Sequence, residues 1–284
     1  MTDTSDLPEN KLDFSILTKV VGTGTDLLIS DALTTDPVFD ETIAGTDLND
    51  TLIGSDLDEL LNAKFGDDSL RGGAGNDKLN GQGGNDTLKA TSGENSLNGG
   101  DGNDIIIGGI NYDIIAGGTG NDSMYGDTGN DEIAGGTGDD TLIGGLGDDL
   151  LNGGEGSDSM AGGTGDDVMN GGDGNDIMHG GDGLDRLNGG TGNDSMTGSI
   201  GDDIMNGGDG TDTVLGGEGD NRLTGGGGND SITSKDGDDW IAGGDGSDTV
   251  KAGEGNNYIA GGTGNDFLYT GNGNDRIEGG EGHD

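Results

Sequence analysis

The chain has 284 residues, a formal net charge of −46, 69 glycines, no cysteine and only 27% hydrophobic residues. This composition excludes disulfides and a large aliphatic core, and a surface so acidic repels nucleic acid and anionic lipid, which leaves cations as the natural partners. No stretch approaches the roughly 18 to 20 apolar residues that span a bilayer, so no transmembrane segment is expected.

Residues 1–44 come first and lack internal repetition. The start, Met1-Thr2-Asp3-Thr4-Ser5-Asp6, has neither the basic nor the apolar region of a cleavable signal peptide. Apolar clusters at Leu12-Phe14-Ile16-Leu17, Leu27-Leu28-Ile29 and Val38-Phe39 predict a leader that caps the open end of a repeat array beginning at Gly45, with Ile43 as the first inward residue. The segment is too short to be an enzyme.

From Gly45 onward the chain keeps a period of nine without insertion or deletion: 26 units fill 45–278, and Gly279 to Asp284 open another. The unit is Gly-Gly-x-Gly-x-Asp-x-(aliphatic)-x, as in Gly72-Gly73-Ala74-Gly75-Asn76-Asp77-Lys78-Leu79-Asn80 and Gly135-Gly136-Thr137-Gly138-Asp139-Asp140-Thr141-Leu142-Ile143. An aperiodic chain of this composition would be disordered, whereas a short fixed period marks a solenoid in which each unit packs on its neighbours. Residues 45–284 therefore form one repeat domain.

Position eight is Leu, Ile, Met or Val in every unit that reaches it, and six of the seven methionines stand there, so it forms the core. Positions seven to nine predict a three-residue strand with its centre pointing inward. Positions one to six must reverse the chain, and their glycines supply backbone angles that other residues reach only with strain. Two units make an 18-residue coil whose turns stack along each edge about 4.8 Å apart, so thirteen coils give a rod on the order of 60 Å long.

Position six then forms columns of carboxylates that repel unless a cation lies between successive turns. Carboxylates and turn carbonyls make an all-oxygen site that suits Ca²⁺ better than Mg²⁺ or a transition metal. Cancelling the charge of −46 takes 23 divalent ions, and position six carries 23 aspartates. The agreement is partly accidental, because many other acids lie elsewhere.

The units resemble the RTX (repeats-in-toxin, haemolysin-type) nonapeptide, GGxGxDxUx, over about 85% of the chain. The resemblance implies an all-β fold, a right-handed parallel β-roll (β-solenoid) of about thirteen 18-residue coils with calcium ions in the turns. It also implies ligation by the position-six aspartates and by turn carbonyls, each ion being shared by two turns of one edge. The number of ions is then on the order of 10 to 20. Family members are typically exported by a type I route without a cleaved signal, unfolded at low calcium, and fold outside the cell.

By resemblance the ligand role falls on two columns. The first edge reads Asp50, Asp68, Asp86, Asp104, Asp122, Asp140, Asp158, Asp176, Asp194, Asp212, Asp230, Asp248, Asp266 and Asp284, without a break. The second reads Glu59, Asp77, Asn95, Asp113, Asp131, Asp149, Asp167, Asp185, Asp203, Asn221, Asp239, Asn257 and Asp275. Calcium is expected to fill the first edge almost completely and to leave vacancies or weak sites near Glu59, Asn95, Asn111, Asn221 and Asn257. The alternative is that the asparagine carbonyl still ligates with lower affinity.

The outward faces differ as well. Following the first edge, position seven is Ser or Thr at 51, 69, 87, 123, 141, 159, 195, 213, 231 and 249, interrupted by Ile105, Ile177 and Phe267. On the other face position nine is Asn at 62, 80, 98, 152, 170, 188 and 206. Both columns are expected to hydrogen-bond along the solenoid. A flat hydroxyl array that orders water is the sharper reading, opposed by Arg71, Lys89, Tyr125, His179, Leu215 and Tyr269 beside it.

No HExxH motif, nucleophile elbow or cysteine nucleophile is present, and His179 and His283 fall at surface positions. Trp240, Tyr258 and Phe267 read as isolated exposed aromatics near the C-terminal end. The array stops at Asp284 with neither a recognisable cap nor the secretion signal expected of the family, so either the chain is a fragment or its last coil frays. The reading favoured is a secreted, non-enzymatic calcium-binding β-roll that folds on binding Ca²⁺. Beside it stand an auxiliary module fused to a secreted enzyme or toxin, and an adhesin, S-layer or ice-binding protein with a cell-surface or glycan partner.

Overall fold

The computed structural model describes residues 26–29 and 41–284. The apolar clusters Leu12-Phe14-Ile16-Leu17 and Val38-Phe39 lie outside the described residues. Among those described there are 28 strands and no helix, from β1 (Asp26–Ile29) and β2 (Glu41–Ala44) through β3 (Asp50–Ile53) and β4 (Glu59–Phe65) to β28 (Arg276–Gly282). Odd-numbered strands stack into one 14-stranded parallel sheet and even-numbered strands into another. This is a parallel β-solenoid.

Register follows the 18-residue coil: Met124 pairs with Leu142 in the odd sheet, and Ile133 with Leu151 in the even sheet. The solenoid also extends into the leader. Ile43 pairs with Leu61 and is buried, and Leu28 pairs with Leu52 at a spacing of 24 residues, so the first coil is longer than the rest.

Position eight from both sheets meets in a single core that runs the length of the rod. From Leu52 to Ile259 every such residue is at most 2% exposed. Leu268 is only partly buried and Ile277 is 48% exposed, because among the described residues nothing stacks on the last coil.

The strands are longer than three residues. Most run six, as in Thr141–Leu146, from position seven through position three of the next unit. The glycines at positions one and two continue the parallel ladder instead of breaking it, so the turn proper shrinks to positions four to six. Three-residue strands survive at Ser69–Arg71, Thr87–Lys89, Ser231–Thr233, Thr249–Lys251 and Phe267–Tyr269. All five lead into second-edge turns.

The outer columns behave differently from one another. Asn98 donates from its amide to Asn80, and beyond Ala116 and Ala134 a second ladder runs from Asn152, with Asn170, Asn188 and Asn206 each donating to the asparagine one coil earlier at 2.8 Å. Among the described residues the Ser/Thr column of the odd sheet makes no such side-chain ladder. Trp240 and Tyr258 are not isolated: they occupy adjacent strands of the even sheet with ring centroids 6.0 Å apart and planes 21° apart. Arg222 covers the outer face of Trp240 at 4.6 Å and Arg276 that of Tyr258 at 5.2 Å, whereas Phe267 belongs to the other sheet. Each ring thus lies between another ring and a guanidinium.

Candidate metal centre

Each turn is built around glycines that no other residue replaces without strain. Gly118 and Gly120, at positions two and four, have φ of 117° and 115°, and a Cβ on either would stand 2.1 Å from the carbonyl oxygen of the same position one coil earlier. Stacked turns therefore touch backbone to backbone. Lys64, Gln82, Asn111, Asp127 and Ser199 hold a positive φ of 73° to 95° without being glycine, so at these five positions the left-handed backbone persists where the residue departs.

Two side-chain ladders of opposite sense tie successive turns. At position six the backbone N–H of Asp104 donates to Asp122 Oδ1 of the next coil at 2.8 Å, and the N–H of Asp122 to Asp140 Oδ1 likewise. At position five the N–H of Asn103 donates to Asn85 Oδ1 of the preceding coil, and that of Asn121 to Asn103 Oδ1, each at 2.8 Å. Sequence reasoning missed the second ladder. Its signal is the frequency of Asn and Asp at position five, from Asn49, Asp58, Asp67, Asn76 and Asn85 onward.

The structure brings the predicted aspartates together as two buried columns. Twenty-one of them, from Asp50 to Asp266, are at most 3% exposed, while Asp275 is half-buried and Asp284 exposed on the last coil. From Asp68 onward one oxygen of each is used in the ladder, whereas Asp50 Oδ2 accepts from Thr46 of its own turn. In the run Asp68 to Asp266 of the first edge, every Oδ2 is buried without a hydrogen-bond partner, as are those of Asp77, Asp113, Asp131, Asp149, Asp167, Asp185, Asp203 and Asp239 on the second. A buried carboxylate oxygen with no donor is costly.

Where these oxygens point is set by position one. A Cβ built on Gly99 would lie 2.1 Å from Asp104 Oδ2 and 2.8 Å from the Gly117 carbonyl of the next turn, and Gly117, Gly135 and Gly153 repeat the arrangement. Only glycine leaves this space open. Position-four carbonyls such as those of Gly102 and Gly120 accept no backbone hydrogen bond among the described residues. Carboxylate Oδ2 atoms and position-one carbonyls thus face one another across the space between turns.

The electrostatics agree. Burial, reinforced at most sites by neighbouring carboxylates, pushes Asp77, Asp86 and Asp149 up to about 7 and Asp68, Asp113, Asp122, Asp140, Asp158, Asp167, Asp176, Asp194, Asp203 and Asp230 to about 6, against the pull of the backbone N–H each accepts. Bare columns would hold protons near neutrality. Among the described residues no three acidic or histidine side chains converge as a metal cluster. An ion in a gap would therefore be held by few carboxylates and several backbone carbonyls, a hard-oxygen set that fits calcium.

Asn95, Asn221 and Asn257 sit in the same column, with Oδ1 accepting the N–H of Asp77, Asp203 and Asp239. Their second branch is an amide, and none leaves an unpartnered atom. Glu59 keeps an unpartnered Oε2.

A family model described as the RTX calcium-binding nonapeptide repeat (4 copies) matches residues 53–88, 80–115, 89–124, 116–151, 125–160, 152–187, 179–214, 215–250 and 251–284. No curated protein matches the chain. Among solved structures, the crystal structure of a hyperactive, Ca²⁺-dependent, β-helical antifreeze protein from an Antarctic bacterium matches at 23% identity and a TM-score of 0.49, over 89% of this chain and 84% of that one. With family matches running almost without interruption from the second unit to the last residue, the chain belongs to the RTX calcium-binding nonapeptide repeat family.

Proposed function

We propose that the chain is a non-catalytic, extracellular calcium-binding β-roll whose folding is driven by calcium in its turns. Residues 45–284 act as the repeat domain behind the leader 1–44, and the position-six aspartates are the carboxylate ligands. The observation that carries this reading is the column of buried, partnerless Oδ2 atoms repeated at every coil of the first edge from Asp68 to Asp266. Calcium, when bound, supplies the positive charge and the coordination these oxygens lack.

The chain's own groups explain why folding and binding are linked. The gap exists only when two turns stack, because its oxygens come from residues 18 apart, so an ion held there stabilises the folded state alone. Extracellular modules bind calcium at about 10⁻⁴ to 10⁻³ M, well above cytosolic levels, which places folding after export, by the type I route that family members use. A non-catalytic role is supported by the absence of a nucleophile motif and by the exposed positions of His179 and His283.

A calcium titration of the metal-free chain, followed by circular dichroism, tests the coupling. The expected result is a cooperative rise of β-structure in the submillimolar to millimolar range, with no equivalent response to magnesium. A folded spectrum indifferent to calcium would overturn it.

A further inference from the structure

The second edge departs from the repeat in two positions at once. Its position-six asparagines are Asn95, Asn221 and Asn257, and its non-glycine residues at position one are Ala90, Ser234, Ala252 and Thr270. These are five or thirteen residues apart in sequence, yet each asparagine gap is flanked by at least one of them, and each of them flanks an asparagine gap. Ala90 and Ala252 share their turns with Asn95 and Asn257; Ser234 and Thr270 open the turns stacked on Asn221 and Asn257. On the first edge only Ala63 departs from glycine at position one.

Geometry explains the coincidence. In the turns that open on glycine a Cβ at position one would collide with the aspartate Oδ2, as the distance of 2.2 Å from Gly144 to Asp149 illustrates; Ala63, Ser234 and Thr270 are the three side chains at position one that share a turn with an aspartate. Ala90 and Ala252 are fully buried, so their methyls occupy space that the other gaps keep open. The amide beside them is fixed in orientation, because the backbone N–H of the preceding coil requires an oxygen on the other branch. That leaves Nδ2 pointing at the turn: Asn95 Nδ2 donates to the Gly93 carbonyl at 3.1 Å and to Asp113 Oδ1 at 2.8 Å. Asn221 Nδ2 donates to the Gly219 carbonyl at 3.0 Å and to Ser234 Oγ at 3.2 Å, and Asn257 Nδ2 to the Gly253 carbonyl at 3.4 Å.

Backbone donors join in. The N–H of Gly93 reaches Asn111 Oδ1 at 3.3 Å, and those of Lys235 and Gly271 reach the Gly217 and Gly253 carbonyls at 3.1 and 2.8 Å. The gaps at Asn95 and Asn221 thus spend on a side-chain amide the position-four carbonyl that is otherwise free.

Building on the calcium reading above, we propose that the gaps between turns 90–95 and 108–113, 216–221 and 234–239, and 252–257 and 270–275 take no ion, the asparagine amide donating there from the place where an aspartate Oδ2 stands partnerless elsewhere. These three gaps are permanent clasps. They divide the second-edge ion column into separate runs while the first edge stays continuous, and they need no calcium to hold their two coils together.

The test is ion counting by native mass spectrometry on the full chain in saturating calcium. The double variant Ala90→Gly/Asn95→Asp is expected to bind one ion more than the parent, and Gly180→Ala/Asp185→Asn one fewer. Unchanged counts in both would overturn the proposal. Should a variant fail to fold, anomalous scattering from crystals of the unmodified chain decides: calcium density in the three gaps overturns the proposal, and density confined to the aspartate gaps supports it. A parent chain that binds no calcium at all would instead refute the functional reading on which this rests.

Discussion

Gly120, with φ at 115° and the Gly102 carbonyl 2.1 Å from where its Cβ would be, is a position at which one methyl group separates two coils. Gly120→Ala is expected to cost about 2 kcal/mol from the left-handed backbone alone, and more from the clash. Ser199 is the mirror case, since it already holds a φ of 95°. Ser199→Gly removes about 1 to 2 kcal/mol of strain and loses about 0.4 to 1 kcal/mol through the unfolded chain, so a small net gain is expected. Thermal unfolding of both variants in saturating calcium checks the pair, and a loss for Ser199→Gly would contradict the strain argument.

The glycines of positions two and four and the inward aliphatic of position eight were legible, because each owes its identity to a single constraint that the period repeats. The role of position five was not. Asn85 and Asn103 look like ordinary surface residues until the stacked backbone places an N–H within 3 Å of each side chain. The amides of Asn95, Asn221 and Asn257 were legible only as departures from aspartate. Which atom faces the gap depends on which branch the neighbouring backbone engages, and that is a fact of three dimensions.

At the scale of the element, the informative unit is the coil rather than the strand. Three-residue strands were expected from positions seven to nine, but paired backbones carry most strands on through position three. The exceptions cluster at second-edge turns, as at Thr87–Lys89 before Ala90 and Thr249–Lys251 before Ala252. Because each coil contacts only its neighbours, register matters more than the size of a lesion. Deleting residues 153–170 removes one coil and joins Asn152 to Gly171 in phase, whereas deleting 153–157 throws every later residue out of column. In calcium the 18-residue deletion is expected to keep a parent-like circular dichroism spectrum and most of its urea resistance. The five-residue deletion is expected to lose far more of both, and equal losses would contradict nearest-neighbour stacking.

For the molecule as a whole, calcium and protons compete for the same oxygens. Thirteen position-six aspartates of the ion-free turns, Asp140 and Asp149 among them, are raised from 3.8 to about 6 or 7, so the folded state binds more protons than the unfolded one. Their contribution to stability is therefore fully present below about pH 4 and is lost as pH rises through 6 to 7. Metal-free protein is expected to be unfolded at pH 7.5 and to gain β-structure on acidification toward pH 4.5, where protonation also relieves the self-repulsion of the charge of −46. Calcium affinity is expected to weaken over the same interval. Circular dichroism of chelated and desalted protein, with titrations at pH 7.5 and 5.5, checks both; a metal-free chain equally unfolded at all pH values would contradict the burial of these groups.

The opposed senses of the two turn ladders give the rod a direction. Each position-six N–H waits for a carboxylate from the coil after it, and each position-five N–H for a side chain from the coil before it. Asp50, in the first regular coil, accordingly keeps an Oδ1 that accepts no hydrogen bond among the described residues. Each coil thus offers donors at position six and acceptors at position five to the coil after it, and the reverse to the coil before it. A stack of near-identical coils is thereby polarised like an arrow, and a coil inserted upside down would find its bonds facing like against like.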